Sequence, residues 1–235
     1  MSEQSQELTQ YDPQLLAKAR KLAGMRPSFP RISYLKVDYG HDELRGHFVL
    51  KDWNQEAEFY HDFDFGVSFT GTFLTVTLKC SQWDGEANQN IYESREFFSL
   101  DEVIQLIAGD KVVDEGTYSE LKKKYPEIKF SLVLYVLLDN RPVPVKFFLR
   151  GKSLGEFWDY ESTIAKSKGA LQGSLTTFSR TQEKKGGIEY FVIHFAENAR
   201  YDIPKLCENM LLSELVYKGV MALNEKFNER FNNPV

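Results

Sequence analysis

Residues 67–80 switch the parity of their apolar positions, which a regular strand cannot do. Val67, Phe69 and Phe73 are apolar on odd positions, whereas Leu74, Val76 and Leu78 are apolar on even ones. Side chains alternate faces with a period of two, so the switch requires an inserted residue, a bulge expected near Gly71. Bulged, bent strands form the corners of small closed barrels. A chain built around such a strand is expected to curl its sheet.

The rest of the pattern agrees with that expectation. Asp12-Pro13 reads as a helix start, Leu15, Leu16, Ala19 and Leu22 come after it at helical spacing, and Gly24 ends the segment. Strands are expected over 32–37 and 46–50, with a turn at 39–42 between them. Ser99 with Glu102, ahead of Val103, Ile104 and Leu106, predicts a helix over 99–107. A second short helix is expected over 117–124, stopped by Pro126. Residues 129–138 are almost continuously apolar and predict a central strand, with 143–149 returning as its hairpin partner after the turn chemistry of 139–142. Residues 157–168 read either as an amphipathic helix or as an ordered connection. Two more strands, 171–180 and 188–196, flank the Lys184-Lys-Gly-Gly187 turn, and 202–232 is helical throughout. There is no internal repeat.

The 235 residues suffice for one sizeable core, and the composition is that of an ordinary globular protein. The net charge of −5 argues against a general polycation. Charge is uneven, however: residues 141–190 hold nine Lys/Arg against five Asp/Glu, while residues 1–140 hold fifteen against twenty-three. An acidic body with one basic segment suits local grip on a polyanion. Cys80 and Cys207 are isolated, which excludes a zinc ribbon and suggests no disulfide framework. The N-terminus lacks a signal pattern and no apolar run reaches the ~20 residues of a membrane helix. The expectation is a cytoplasmic protein with no membrane partner.

The basic segment is also aromatic. On the strand 143–149, residues two apart share a face, so Lys146, Phe148 and Arg150 project together while Val145, Phe147 and Leu149 face the other way. One side is then apolar and the other is cation, ring, cation, the combination that tracks single-stranded nucleic acid through phosphates and stacked bases. Lys152 and Trp158 extend it in sequence. Lys79, Trp83 and Arg95 flank the loop after the bulged strand and could lengthen the groove. Arg180, Lys184 and Lys185 sit on a hairpin that could clamp a strand. The plain alternative throughout is a solvated strand face with local packing anchors.

Enzymatic constellations are sparse. His61, Asp62 and Asp64 could ligate a divalent metal, but His61 and Asp64 would not share a strand face. His194, between Ile193 and Phe195, reads as a satisfied strand residue. No glycine-rich phosphate loop is present. The chain is expected not to be an enzyme and to need no cofactor.

The run Phe147-Phe-Leu-Arg-Gly-Lys-Ser-Leu154, succeeded by Phe157 and Tyr160, resembles the oligonucleotide-binding (OB) fold single-stranded DNA-binding proteins of phages and mobile elements. Pro30-Arg-Ile-Ser-Tyr-Leu-Lys36 is similar to the start of such domains. The resemblance implies DNA coating during replication or recombination. It departs at the C-terminus, where Asn-Glu-Arg-Phe-Asn-Asn-Pro-Val is not an acidic tail and a long helix exceeds a minimal OB domain. The expected fold is therefore α+β, mostly β: an OB-like closed barrel with added short helices and a long C-terminal helix. Its parts are an N-terminal helical extension (1–28), the barrel (29–200) and a helix packed on or beside it (201–235). The expected function is coating of single-stranded DNA, or RNA, without strong sequence preference, with self-association through the C-terminal helix as a candidate. A phage or mobile-element interaction protein is the first alternative and a metal-dependent nuclease the second.

Overall fold

A computed structural model describes residues 33–232 apart from 41–42, 55–58, 88, 110 and 140, with backbone alone for 227–232. The helical extension expected over 1–28 lies outside the described residues. In chain order the elements are β1 (Tyr34–Val37), β2 (Phe48–Asn54), β3 (Phe59–Asp64), β4 (Ser68–Asp84), β5 (Gln89–Ser94), β6 (Ile104–Ala108), β7 (Lys111–Gly116), α1 (Tyr118–Lys124), β8 (Lys129–Leu138), β9 (Val145–Leu149), α2 (Ser153–Lys166), β10 (Ser174–Lys185), β11 (Ile188–Arg200) and α3 (Ile203–Asn232).

The parity switch in β4 is real. Phe73 pairs with Val136 and Thr75 with Tyr135, leaving Leu74 as the extra residue. Phe73 and Leu74 are both fully buried, yet they enter different apolar clusters on opposite sides of the sheet. Gly71, three residues earlier, has a different task. It pairs with Leu138 on one side and Thr176 on the other, and a Cβ there would stand 2.7 Å from Val136.

The strands form one sheet in the order β3-β2-β1-β9-β8-β4-β5-β6-β7, with β10 also paired to β4 and β11 to β10. The central β8 and its partner β9 form the expected hairpin, and β1 joins β9 in parallel. The larger core lies on one face. There Phe178 stacks on Phe69 at 4.4 Å and lies within 5.4 Å of Phe73 and Phe195, while Phe157 and Tyr160 of α2 close over Phe73. On the opposite face α3 lays Leu212, Val216 and Val220 against Leu74, Val133 and Tyr135.

The fold is α+β and mostly strand, but no strand pairing closes the sheet into a barrel among the described residues. The two approaching ends meet through side chains. Arg180 Nε donates to Gly46 O at 2.8 Å and its guanidinium lies over Phe191, while Arg45 pairs with Glu189 at 2.6 Å. Gly46 has φ +79°, and a Cβ there would meet Arg180 at 2.7 Å, so this contact requires glycine.

One expected helix is a strand. Ser99 and Glu102 do cap a turn: Glu102 accepts from Phe98 N, and Glu102 N donates to Ser99 O. The turn then stops, and Ile104, Leu106 and Ile107 pair with β7. The same box at Thr117 and Glu120 does start a helix, α1. The two segments differ in the residues downstream of the box. Ser-Glu-Leu-Lys-Lys-Lys favours helix, whereas the β-branched and buried residues of 103–107 favour a ladder. The segment around Phe157, open to two readings from its sequence, is the helix α2.

Phe178 holds the aromatic core at its centre. Phe178→Ala should lower stability by about 3–5 kcal/mol, read as a shift in the urea midpoint at unchanged slope.

Candidate nucleic-acid interface

Lys146, Phe148 and Arg150 do share a face, as alternation requires. It is the face of β8 that carries Ser131, Val133 and Tyr135, because Lys146 lies opposite Tyr135 and Phe148 opposite Val133. On β4 the same face holds Thr75, Thr77, Lys79 and Ser81. α3 covers one end of this surface and leaves the other end open.

Charge on the face is largely cancelled. Lys146 Nζ donates to Glu96 Oε1 at 2.5 Å, and Glu96 also accepts from Tyr135 and Thr77 at 2.7 and 2.8 Å. Burial opposes ionisation of Glu96, but the charge and hydrogen bond of Lys146, with the two hydroxyls, outweigh it and hold the carboxyl below its ordinary 4.5. Burial, with Glu96 beside it, pushes the Tyr135 phenol well up. Lys146, expected to meet phosphate, is in this structure the counter-charge of a buried carboxylate. Arg141 is likewise bound in a fork to Asp52 at 2.6 and 2.8 Å. Lys79 pairs with Glu93 at 2.7 Å.

Arg150 is different. Its Nε donates to Ser131 Oγ at 2.9 Å and an Nη donates to Ser81 Oγ at 3.3 Å. Burial alone lowers its pKa, and no carboxylate pairs with it among the described residues. Both serines are themselves buried and both accept from the guanidinium. Their hydroxyl protons are therefore free to point at another acceptor. Arg150 donates to both serines, and among the described residues no carboxylate takes up its charge and no acceptor is paired with the two hydroxyl protons, an arrangement that suits an oxyanion. Phe148, 38% exposed, and Trp83, 52% exposed, stand on the same face to either side.

The remaining expected residues are elsewhere. Lys152 precedes α2 and binds Glu183 of β10 at 2.5 Å. Trp158 is exposed on α2 and rests edge-on against Phe157. Arg180 joins the ends of the sheet through Gly46 and Phe191 and is not a free clamp. Lys184 and Lys185 are exposed beside the turn at Gly186 and Gly187. Arg95 donates to Leu223 O of α3 at 3.5 Å, and burial lowers its pKa to about 9 against the pull of Glu93. The candidate metal triplet is split: Asp64 binds His47 and Gly66 N, Asp62 binds Lys51, and His61 lies on the other face of β3, packed on Phe59. No group of three metal-ligating side chains occurs among the described residues.

Glu96, Ser81 and Ser131 were not anticipated as parts of this site. A signal existed for the serines, since Ser131 interrupts an apolar strand and Ser81 ends one. Glu96 gave none, because it meets Lys146 across fifty positions of chain.

A depressed carboxyl contributes stability that is present above its unfolded pKa and lost as pH falls through the folded one. Acid unfolding of the native chain should therefore steepen below about pH 4.5, and Glu96→Gln should flatten that limb in a pH series of thermal melts. Lys146→Met should cost about 3–5 kcal/mol at neutral pH, because it strands a buried charge, and adding Glu96→Gln should recover much of it. No protein-family model, curated protein or solved structure matches the chain.

Proposed function

We propose that the protein binds single-stranded nucleic acid without strong sequence preference, through the open end of the face that carries Arg150. The observation that supports this reading is the uncancelled guanidinium held by two serine hydroxyls beside an exposed ring. A phosphate offers acceptors to Arg150, Ser81 and Ser131 together, and Phe148 and Trp83 offer flat surfaces to flanking bases. The sheet curls around the aromatic core on its other side, so Arg150, Phe148 and Trp83 lie on the outer face of the curl, on the part of that face beside α3. DNA coating in replication or recombination is the setting this reading implies. The outer side of α3, where Ile203 and Met210 are exposed, is its candidate surface for self-association.

A protein partner is the second reading, and the cancelled cations favour it. With Lys146, Arg141 and Lys152 all paired to carboxylates, the exposed Phe148, Trp83 and Ile91 could receive an uncharged surface. Among the described residues no helix is long and apolar enough to cross a membrane.

Salt separates the two readings. Binding of a fluorescent oligothymidylate should weaken steeply with salt, and Arg150→Gln should reduce the slope of log affinity against log salt by about 0.7 and affinity by about tenfold. Lys146→Met should leave the slope unchanged. An Arg150→Gln protein that folds and keeps the native slope removes the guanidinium from the phosphate path.

A further inference from the structure

The β10–β11 hairpin carries an arrangement that the nucleic-acid reading does not use. His194 of β11 lies opposite Ser179 and diagonal to Thr181 of β10. Its Nδ1 is 2.8 Å from Glu156 Oε2, and its Nε2 is 2.8 Å from Thr181 Oγ1. Glu156 belongs to the first turn of α2, which is fixed across the β11 edge by Ser153 Oγ accepting from Ile193 N at 3.0 Å. The imidazole is thus held from one side by a helix and from the other by a strand.

In the neutral imidazole with Nδ1–H donated to the Glu156 carboxylate, Nε2 is a lone pair and the hydrogen between it and Thr181 belongs to the hydroxyl. Carboxylate, imidazole and alcohol stand in the order that activates a nucleophile: orienter, base, attacking oxygen. Thr181 is exposed, so a substrate can reach it. Lys152, held against Glu183 two positions further along the same strand face, places a cation on that surface.

We propose that Thr181, His194 and Glu156 form an acyl-transfer site for carboxylic esters. Thr181 Oγ bonds to the acyl carbon as its proton passes to His194 Nε2. The bond from that carbon to the leaving oxygen then breaks, and the departing alkoxide takes the proton from Nε2. Water next attacks the acyl-threonine, gives a proton to Nε2, and releases the carboxylic acid as Thr181 Oγ recovers its hydrogen. Glu156 keeps the ring in register. Strand N–H groups around Thr181 serve the ladder, so the acceleration is that of general acid–base chemistry, about 10²–10⁴-fold.

The test uses the full chain with p-nitrophenyl acetate and a fluorophosphonate probe, the labelled residue being identified by peptide mass. Label on Thr181 is expected, with labelling and ester turnover falling at least about 100-fold in His194→Ala. Thr181→Ser, a less hindered alcohol that keeps the hydrogen bond to His194, should label faster than the native protein, and Glu156→Gln should slow both readouts. Urea midpoints of each variant separate lost chemistry from lost fold. Label on Ser179 or elsewhere, labelling indifferent to His194→Ala, or a folded Thr181→Ser protein no faster than native would each overturn the assignment.

Discussion

One extra residue in the middle of β4 allows the rest of the molecule to exist in this form. Without Leu74, a 17-residue strand would present all its apolar side chains at one parity, and only one face of the sheet could be dry. With it, Phe73 completes an aromatic core on one side while Leu74 gives α3 something to sit on at the other. The bulge also bends the strand, so that its first residues pair with β10 and its last with β5 along the same edge. Between those partners the edge is covered at Leu74 by Gln172 Nε2 and Ser213 Oγ, both donating to its carbonyl, and at Leu78 by a backbone bridge to Phe97.

Much of this was legible from the chain itself, and the reasons differ by element. The parity of residues 67–80 forecast the bulge to within three positions. The apolar run of β8, the turn glycines of the β10–β11 hairpin and the long C-terminal helix could be read directly, because each signal is local. Ser99 with Glu102 misled because a cap nucleates a turn regardless of the residues beyond it, and the pairing of Ile104 to Ala108 with β7 decided the outcome. β3, β5 and β7 passed unnoticed because their polar, half-exposed sequences carry little periodic contrast. Closure is a different matter: no strand pairing seals the sheet among the described residues, and whether a curled sheet seals depends on how its two ends meet, which no strand reports alone.

For the candidate site, facing was easier to read than charge. Alternation placed Lys146, Phe148 and Arg150 together, and they are together. Which cations remain available depends on carboxylates distant in sequence: Glu96 for Lys146, Asp52 for Arg141, Glu183 for Lys152. A run of positive residues is therefore a poor measure of positive surface. On the strand face of Lys146, Phe148 and Arg150, the guanidinium of Arg150 has no carboxylate partner among the described residues, and the two serines that hold it are small polar residues in otherwise apolar strands.

The join between the first turn and the β10–β11 hairpin includes Arg180 over the Phe191 ring and on the Gly46 carbonyl, Tyr39 against Phe191, and the Arg45–Glu189 ion pair. No ladder crosses it among the described residues. Such a seam can part and re-form without any strand leaving its neighbours, so the two flanks of the curled sheet are free to breathe as separate cooperative units. The width of the curl is then an adjustable quantity set by a few side chains, and a substitution at Gly46 would alter the shape of the curl before it altered the survival of the fold.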